Sequence, residues 1–147
     1  MKSAWKRVSG VVLSAVIAFG MIVPGLQAGP AAAGKFKLPF DARWEKIGLP
    51  TGDYTFSVDH ITLNGTILVY RGTEAVGIVH PQMFNGDENR SKNSELVCIR
   101  HDGKVTVRAL RLPNAGTFYF PLPNELKALV AQQPQLIETV SIEVSGD

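Results

Sequence analysis

This sequence predicts an all-β fold with a minor helical part, an antiparallel β-sandwich or small β-barrel of about seven to nine strands with one short helix. Three observations carry that expectation. Apolar and polar residues alternate in several stretches, as along Tyr54, Phe56 and Val58, the period of a half-buried strand. Asn64-Gly65 and Asp102-Gly103 stand between such stretches, and a two-residue hairpin loop requires the positive φ that these residues tolerate. Helical spacing of apolar residues is confined to the segment from Pro123 to Gln133. The 147 residues, 45% hydrophobic and 19% charged, suit one folded domain rather than a disordered chain.

The first element is not part of that domain. Lys2, Lys6 and Arg7 precede an uncharged run from Val11 to Val23, and Pro24-Gly25 then leads into small residues from Ala28 to Gly34. Basic, apolar and small segments in this order read as a secretory signal peptide, residues 1–28, with cleavage after Ala28 or alternatively after Ala33. The apolar run is shorter than the roughly 20 residues a spanning helix needs, so no permanent membrane span is expected. All 13 acidic residues but only 12 of the 15 basic ones lie beyond Ala33, which leaves the exported chain at −1. A domain of that charge gives no reason to expect nucleic acid as a partner.

Residues 35–147 then read as a single β-rich domain. Pro50-Thr51-Gly52 forms a turn before the Tyr54 strand, with proline suited to the first central position. Asn64-Gly65 is expected to join a strand at Ile61 to Leu63 with one at Thr66 to Tyr70. A short strand around Val76 to Val79 ends at His80-Pro81, and a polar stretch of thirteen residues follows from Gln82 to Ser94. Asp102-Gly103 joins the strand Glu95 to His101 with that from Lys104 to Leu112. Leu126, Leu129 and Val130 mark one short helix, with Asn124 as its N-cap and Pro134 as its stop. Val140, Ile142 and Val144 close the chain as a last half-buried strand.

Chemistry-bearing residues are sparse. No nucleophile elbow, zinc-protease, P-loop or dinucleotide-binding pattern is present, so the chain is expected not to be an enzyme and to need no cofactor. Leu49-Pro50-Thr51-Gly52 lacks one residue of a sortase signal and lies far from the C-terminus, and reads as a turn. The sequons at Asn64 and Asn89 fall in a hairpin turn and in the polar stretch. His60, His80 and His101 stand 20 and 21 residues apart, unlike closely paired metal ligands. An alternative reading brings Asp59, His60, His101 and Asp102 to one rim as the site of a small hydrolase or metal-dependent enzyme, because strand ends converge. The sole cysteine, Cys98, alternates with Val97 and Ile99 and is expected to be a buried small hydrophobe. Of the aromatic residues, Tyr119, Tyr70 and Trp44 are those whose rings could face outward.

Phe36-Lys37-Leu38-Pro39-Phe40, followed by Leu49-Pro50-Thr51-Gly52-Asp53-Tyr54-Thr55-Phe56, resembles the opening of small exported bacterial all-β proteins of unassigned function. The resemblance covers about twenty residues of turn-and-strand chemistry. It implies a secreted all-β domain and assigns no catalytic residue.

The expected function is therefore that of an exported, non-enzymatic binding or interaction module in the periplasm, the cell envelope or outside the cell, with an unknown protein or glycan as partner. Exposed loops on rigid sheets commonly carry recognition, which nominates Asn85, Asp87, Glu88, Arg90 and Lys92 of the polar stretch, together with Tyr119. A second alternative is a structural subunit that assembles through sheet edges.

Overall fold

The structure, a computed structural model, describes residues 29–86 and 93–144. Among these residues the chain forms eleven strands: β1 (Ala32–Leu38), β2 (Ala42–Trp44), β3 (Ile47–Leu49), β4 (Gly52–Val58), β5 (Ile67–Arg71), β6 (Glu74–Val79), β7 (Met83–Asn85), β8 (Glu95–His101), β9 (Lys104–Leu112), β10 (Gly116–Tyr119) and β11 (Ile137–Val144). One α-helix, α1 (Asn124–Gln132), and a 3-10 turn (Pro134–Leu136) fill the crossover from β10 to β11. The all-β expectation holds. Strands beyond the expected seven to nine come from β2, β3 and β7, each three residues long. Three residues are too few to display an alternation, so these strands leave no periodic signal.

The strands follow one another as β3-β2-β9-β8-β11-β1-β4-β5-β6, with β10 attached to β9 and β7 to β10. All pairings are antiparallel except the β2–β9 contact at Arg43 and Thr106. The sheet is a nearly closed barrel. Its two ends, β3 and β6, meet through side chains: the Ile47 side chain fills the space that a Cβ on Gly77 would need. Beside this seam the Glu45 carboxylate accepts the His80 backbone N–H at 3.1 Å, a bond that a neighbouring strand would otherwise provide.

Inward residues fill the barrel with Phe36, Trp44, Tyr54, Phe56, Phe118 and Phe120 among the aliphatic side chains. Phe36 stacks on Tyr54 at 5.6 Å, and Trp44 meets Phe120 edge-on at 5.1 Å. Trp44 is fully buried, which corrects the expectation that its ring could face outward. Leu96 to Ile99 are buried on both faces of β8. Leu96 and Cys98 join the barrel core, whereas Val97 and Ile99 alternate to the outer face, where the 3-10 turn packs against β8.

Local expectations divide instructively. Asp102 and Gly103 both have positive φ, 52° and 73°, so this hairpin has the twisted two-residue loop its sequence specifies. Asn64-Gly65 does not. Ile61 to Leu63 is not a strand, and neither Asn64 nor Gly65 is among the residues of positive φ. Instead β4 and β5 are joined by residues 59–66, in which the Gly65 N–H donates to the Thr62 carbonyl at 3.0 Å. Asp59 organises the loop by accepting the N–H groups of His60 at 2.7 Å and Thr66 at 2.5 Å. The Thr66 bond leads in holding the Asp59 carboxyl below its ordinary range. Conversely, the β2–β3 turn has Glu45 at φ 55°, a conformation uncommon for such a side chain.

The helix also departs from expectation. Its N-cap position is Pro123, with no side-chain cap, and Asn124 is its first residue. Pro134 opens the 3-10 turn rather than simply ending the chain's helical course. No residue of α1 is buried; Leu126, Leu129 and Val130 are only half-buried.

Candidate functional site

Strand register disposes of the shared histidine rim. Across β1, Ala32 pairs with Val58 of β4, and Gly34 with Val144 of β11. The Asp59-His60 loop therefore leaves the barrel at the end where β11 finishes. Ile137, where β11 begins, pairs with Ile99, two residues before His101. The eight residues of β11 span about 23 Å at roughly 3.3 Å per residue, so His60 and His101 stand at opposite ends. Among the described residues each ring lies against its chain neighbour: His60 Nδ1 is 3.3 Å from Asp59, and His101 Nε2 is 3.2 Å from Asp102. No group of three metal-ligating side chains occurs among the described residues. Topology thus keeps Asp59 and His60 apart from His101 and Asp102 rather than at one rim.

The residues expected to make contacts are partly gathered. Asp87, Glu88, Arg90 and Lys92 lie outside the described residues. Asn85 pairs with Thr117, and Met83 with Tyr119, so Met83, Asn85, Thr117 and Tyr119 share the outer face of the β7–β10 pair. Tyr119 is half-buried, with the Arg108 guanidinium 5.7 Å from its ring centre. The register continues from Thr117 to Arg111 and from Arg111 to Glu95. Asn85 and Glu95 accordingly sit on one row, three strand spacings or about 14 Å apart. Phe84 against Phe118 at 4.8 Å holds the β7 end of that row, and the Arg111–Glu95 ion pair at 2.5 Å holds the β8 end. Three residues of the polar stretch are therefore strand rather than loop, Met83–Asn85.

Thr117 in that row is fully buried, and its Oγ1 has no hydrogen-bond partner among the described residues. A buried hydroxyl left unpaired costs about 1–3 kcal/mol. Thr117→Val retains the branched shape and removes the hydroxyl, and is expected to raise stability by about 1 kcal/mol. Urea denaturation of the two proteins checks this. A loss of stability would show that the hydroxyl is satisfied.

A larger feature lies at the other end of the barrel. An open cleft of about 810 Å³ runs between α1, the β2–β3 turn and the start of β9. Leu126 and Leu129 form its apolar wall, continued by Pro121 and Pro123. Arg43, Lys46 and Lys104 bring three cations to the same lining. Arg43 and Lys104 are adjacent only because β2 pairs with β9 at Arg43 and Thr106. None of the three cations forms an ion pair or side-chain hydrogen bond among the described residues. The carboxylates of the cleft are mostly engaged: Asp41 accepts the N–H and hydroxyl of Thr51 at 2.8 and 3.0 Å, Glu45 is held by His80, and Asp102 lies against His101. The Thr51 bonds hold the Asp41 carboxyl below its ordinary range. The leucine stripe of this cleft is legible in the sequence as helical spacing; the cations are not, because they come from strands sixty residues apart joined by a single parallel contact.

Cys98 offers no nucleophile. Burial pushes its thiol up to about 12, Glu138 adds to the shift and Arg100 opposes it. The guanidinium of Arg100 is itself committed to Glu138 at 2.7 and 3.3 Å. A thiol so raised is protonated at neutral pH, and the protonated form does not attack.

The chain matches no protein-family model, no curated protein and no solved structure.

Proposed function

We propose that this chain is exported and acts as a non-enzymatic binding module, with the outer cleft beside α1 as its contact site. Export rests on the order of basic, apolar and small residues before Gly34. The observation that carries the binding reading is that half-buried Leu126 and Leu129 line one open cleft together with cations that have no partner among the described residues. The barrel interior offers no comparable room, because Trp44, Tyr54, Phe56 and Phe118 fill it. Packed interiors of this kind make rigid scaffolds, and recognition then falls to what stands on the outside. The row from Asn85 to Glu95 supplies a second rigid base, and Tyr119 beside it remains a candidate contact.

The test is capture from the native envelope with the full chain as bait, compared with a Leu126→Asp, Leu129→Asp variant. Neither leucine is buried in the barrel, so the variant is expected to retain cooperative thermal unfolding while losing the captured partner. Undiminished capture by the folded variant overturns the assignment of the cleft.

A further inference from the structure

The cleft beside α1 also carries information about the chemistry of what it takes, and this inference rests on the binding reading above. We infer that its ligand is an anionic single-chain amphiphile, whose carboxylate or phosphate meets Arg43 and Lys104 while its chain lies along Leu126 and Leu129.

The argument begins with which hydrogen-bonding groups are free. Arg43, Lys46 and Lys104 have no partner among the described residues, so an incoming anion gains charge-assisted bonds from donors that otherwise bond water. Arg43 and Lys104 stand on the same outward face, one on β2 and the other two residues before its register partner on β9. Of the four carboxylates lining the cleft, Asp41 and Glu45 already accept internal bonds, from Thr51 and His80, and Asp102 lies 3.2 Å from the His101 ring. A cationic ligand must compete with those bonds; an anionic one does not. Only Glu125, on the first turn of α1, faces the cleft uncommitted. The lining sets four carboxylates against three cations, so it offers an anion no long-range attraction, and selection comes from short-range bonds.

The apolar part points to a hydrocarbon chain. Leu126 and Leu129 are one turn apart on the helix and half-buried, which leaves apolar surface that a ligand can cover at roughly 25 cal/mol per Å². A peptide would bring backbone N–H and C=O groups that need partners. β2, beneath the cleft, supplies no open edge, because it is paired on both sides, with β3 and with β9. A glycan would be served by exposed aromatic faces, and the cleft is lined by no aromatic residue. An alkyl chain needs neither.

The experiment is amide-resolved NMR of the isotope-labelled full chain, titrated with dodecanoate, dodecyl phosphate and neutral monolauroylglycerol, each below its micellar concentration. Both anions are expected to shift the amides of Arg43, Lys104, Leu126 and Leu129, and to bind at least about tenfold more tightly than the neutral lipid. The Arg43→Gln, Lys104→Gln variant is expected to lose about tenfold in affinity for the anions and little for the neutral lipid. A preference for dodecanoate over dodecyl phosphate identifies the head group as a carboxylate, and the reverse as a phosphate. Equal binding of the neutral lipid, or cleft amides unmoved by both anions, overturns the inference. A short alternating Glu-Leu peptide separates the two levels. If it alone moves those amides, the ligand class is wrong and the cleft remains a binding site. If nothing moves them and the leucine variant still captures its partner, both readings fall.

Discussion

Trp44→Ala is expected to cost about 3–5 kcal/mol, enough to leave a domain whose total stability is of the order of 5–15 kcal/mol close to unfolding. Trp44 is fully buried and joins two parts of the core, with Phe36 at 6.2 Å and Phe120 at 5.1 Å. Removing it empties the centre of a barrel whose surrounding strands are held by their ladders and cannot collapse into the space. The companion variant Trp44→Phe is expected to behave differently. The indole Nε1 is buried with no partner among the described residues, so truncation to Phe relieves a penalty of about 1–3 kcal/mol while it creates a smaller cavity. The net change should lie within about 1 kcal/mol of zero. Guanidinium unfolding followed by far-ultraviolet circular dichroism measures both. Equal losses in the two variants would mean that the indole N–H is paired.

Gly116→Val is the second large effect, at about 3 kcal/mol or more. Gly116 has φ 128°, a conformation that side chains other than hydrogen rarely adopt. A Cβ there would also stand 2.7 Å from the Asn85 carbonyl and 2.8 Å from the Gly86 Cα. Both neighbours are backbone, so relief requires β7 to move off β10. The loss should therefore be uneven: amide exchange protection at Thr117 and Phe84 falls first, while Val107 and Leu110 in the barrel stay protected. Uniform loss across the barrel would contradict a local role. A stable variant with β7 still paired would show that the turn has another low-energy conformation.

Both effects depend on contacts that no stretch of sequence announces, and the same holds for the candidate site. The leucines of α1 are recognisable by their spacing. Arg43 and Lys46 on one side and Lys104 on the other look like solvated charges in two separate segments until β2 lies against β9. His60 and His101 are the opposite case. Each follows or precedes an Asp at a strand end, which suggests a common rim, yet β11 runs the length of the barrel between their ends. Strand ends converge only at the same end of a barrel, and that is a property of register.

What the sequence determined by itself is what neighbouring residues decide between them. Alternation along Tyr54, Phe56 and Val58, and along Val105 and Val107, sets which face is buried because successive side chains point opposite ways. Asp102-Gly103 makes its turn because both residues accept positive φ. Asn64-Gly65 shows the limit of that logic: the same turn chemistry yields to Asp59, which ties His60 and Thr66 into a longer loop. The choice of barrel over sandwich, the seating of Trp44 inside it, the unannounced turn at Glu45 and the cleft beside α1 were decided by the tertiary structure alone. Each depends on pairs far apart in the chain, Ile47 with Gly77, Glu45 with His80, Arg43 with Thr106. Such pairs form because closing the sheet buries the whole core at once, and that summed burial is not encoded in any single segment.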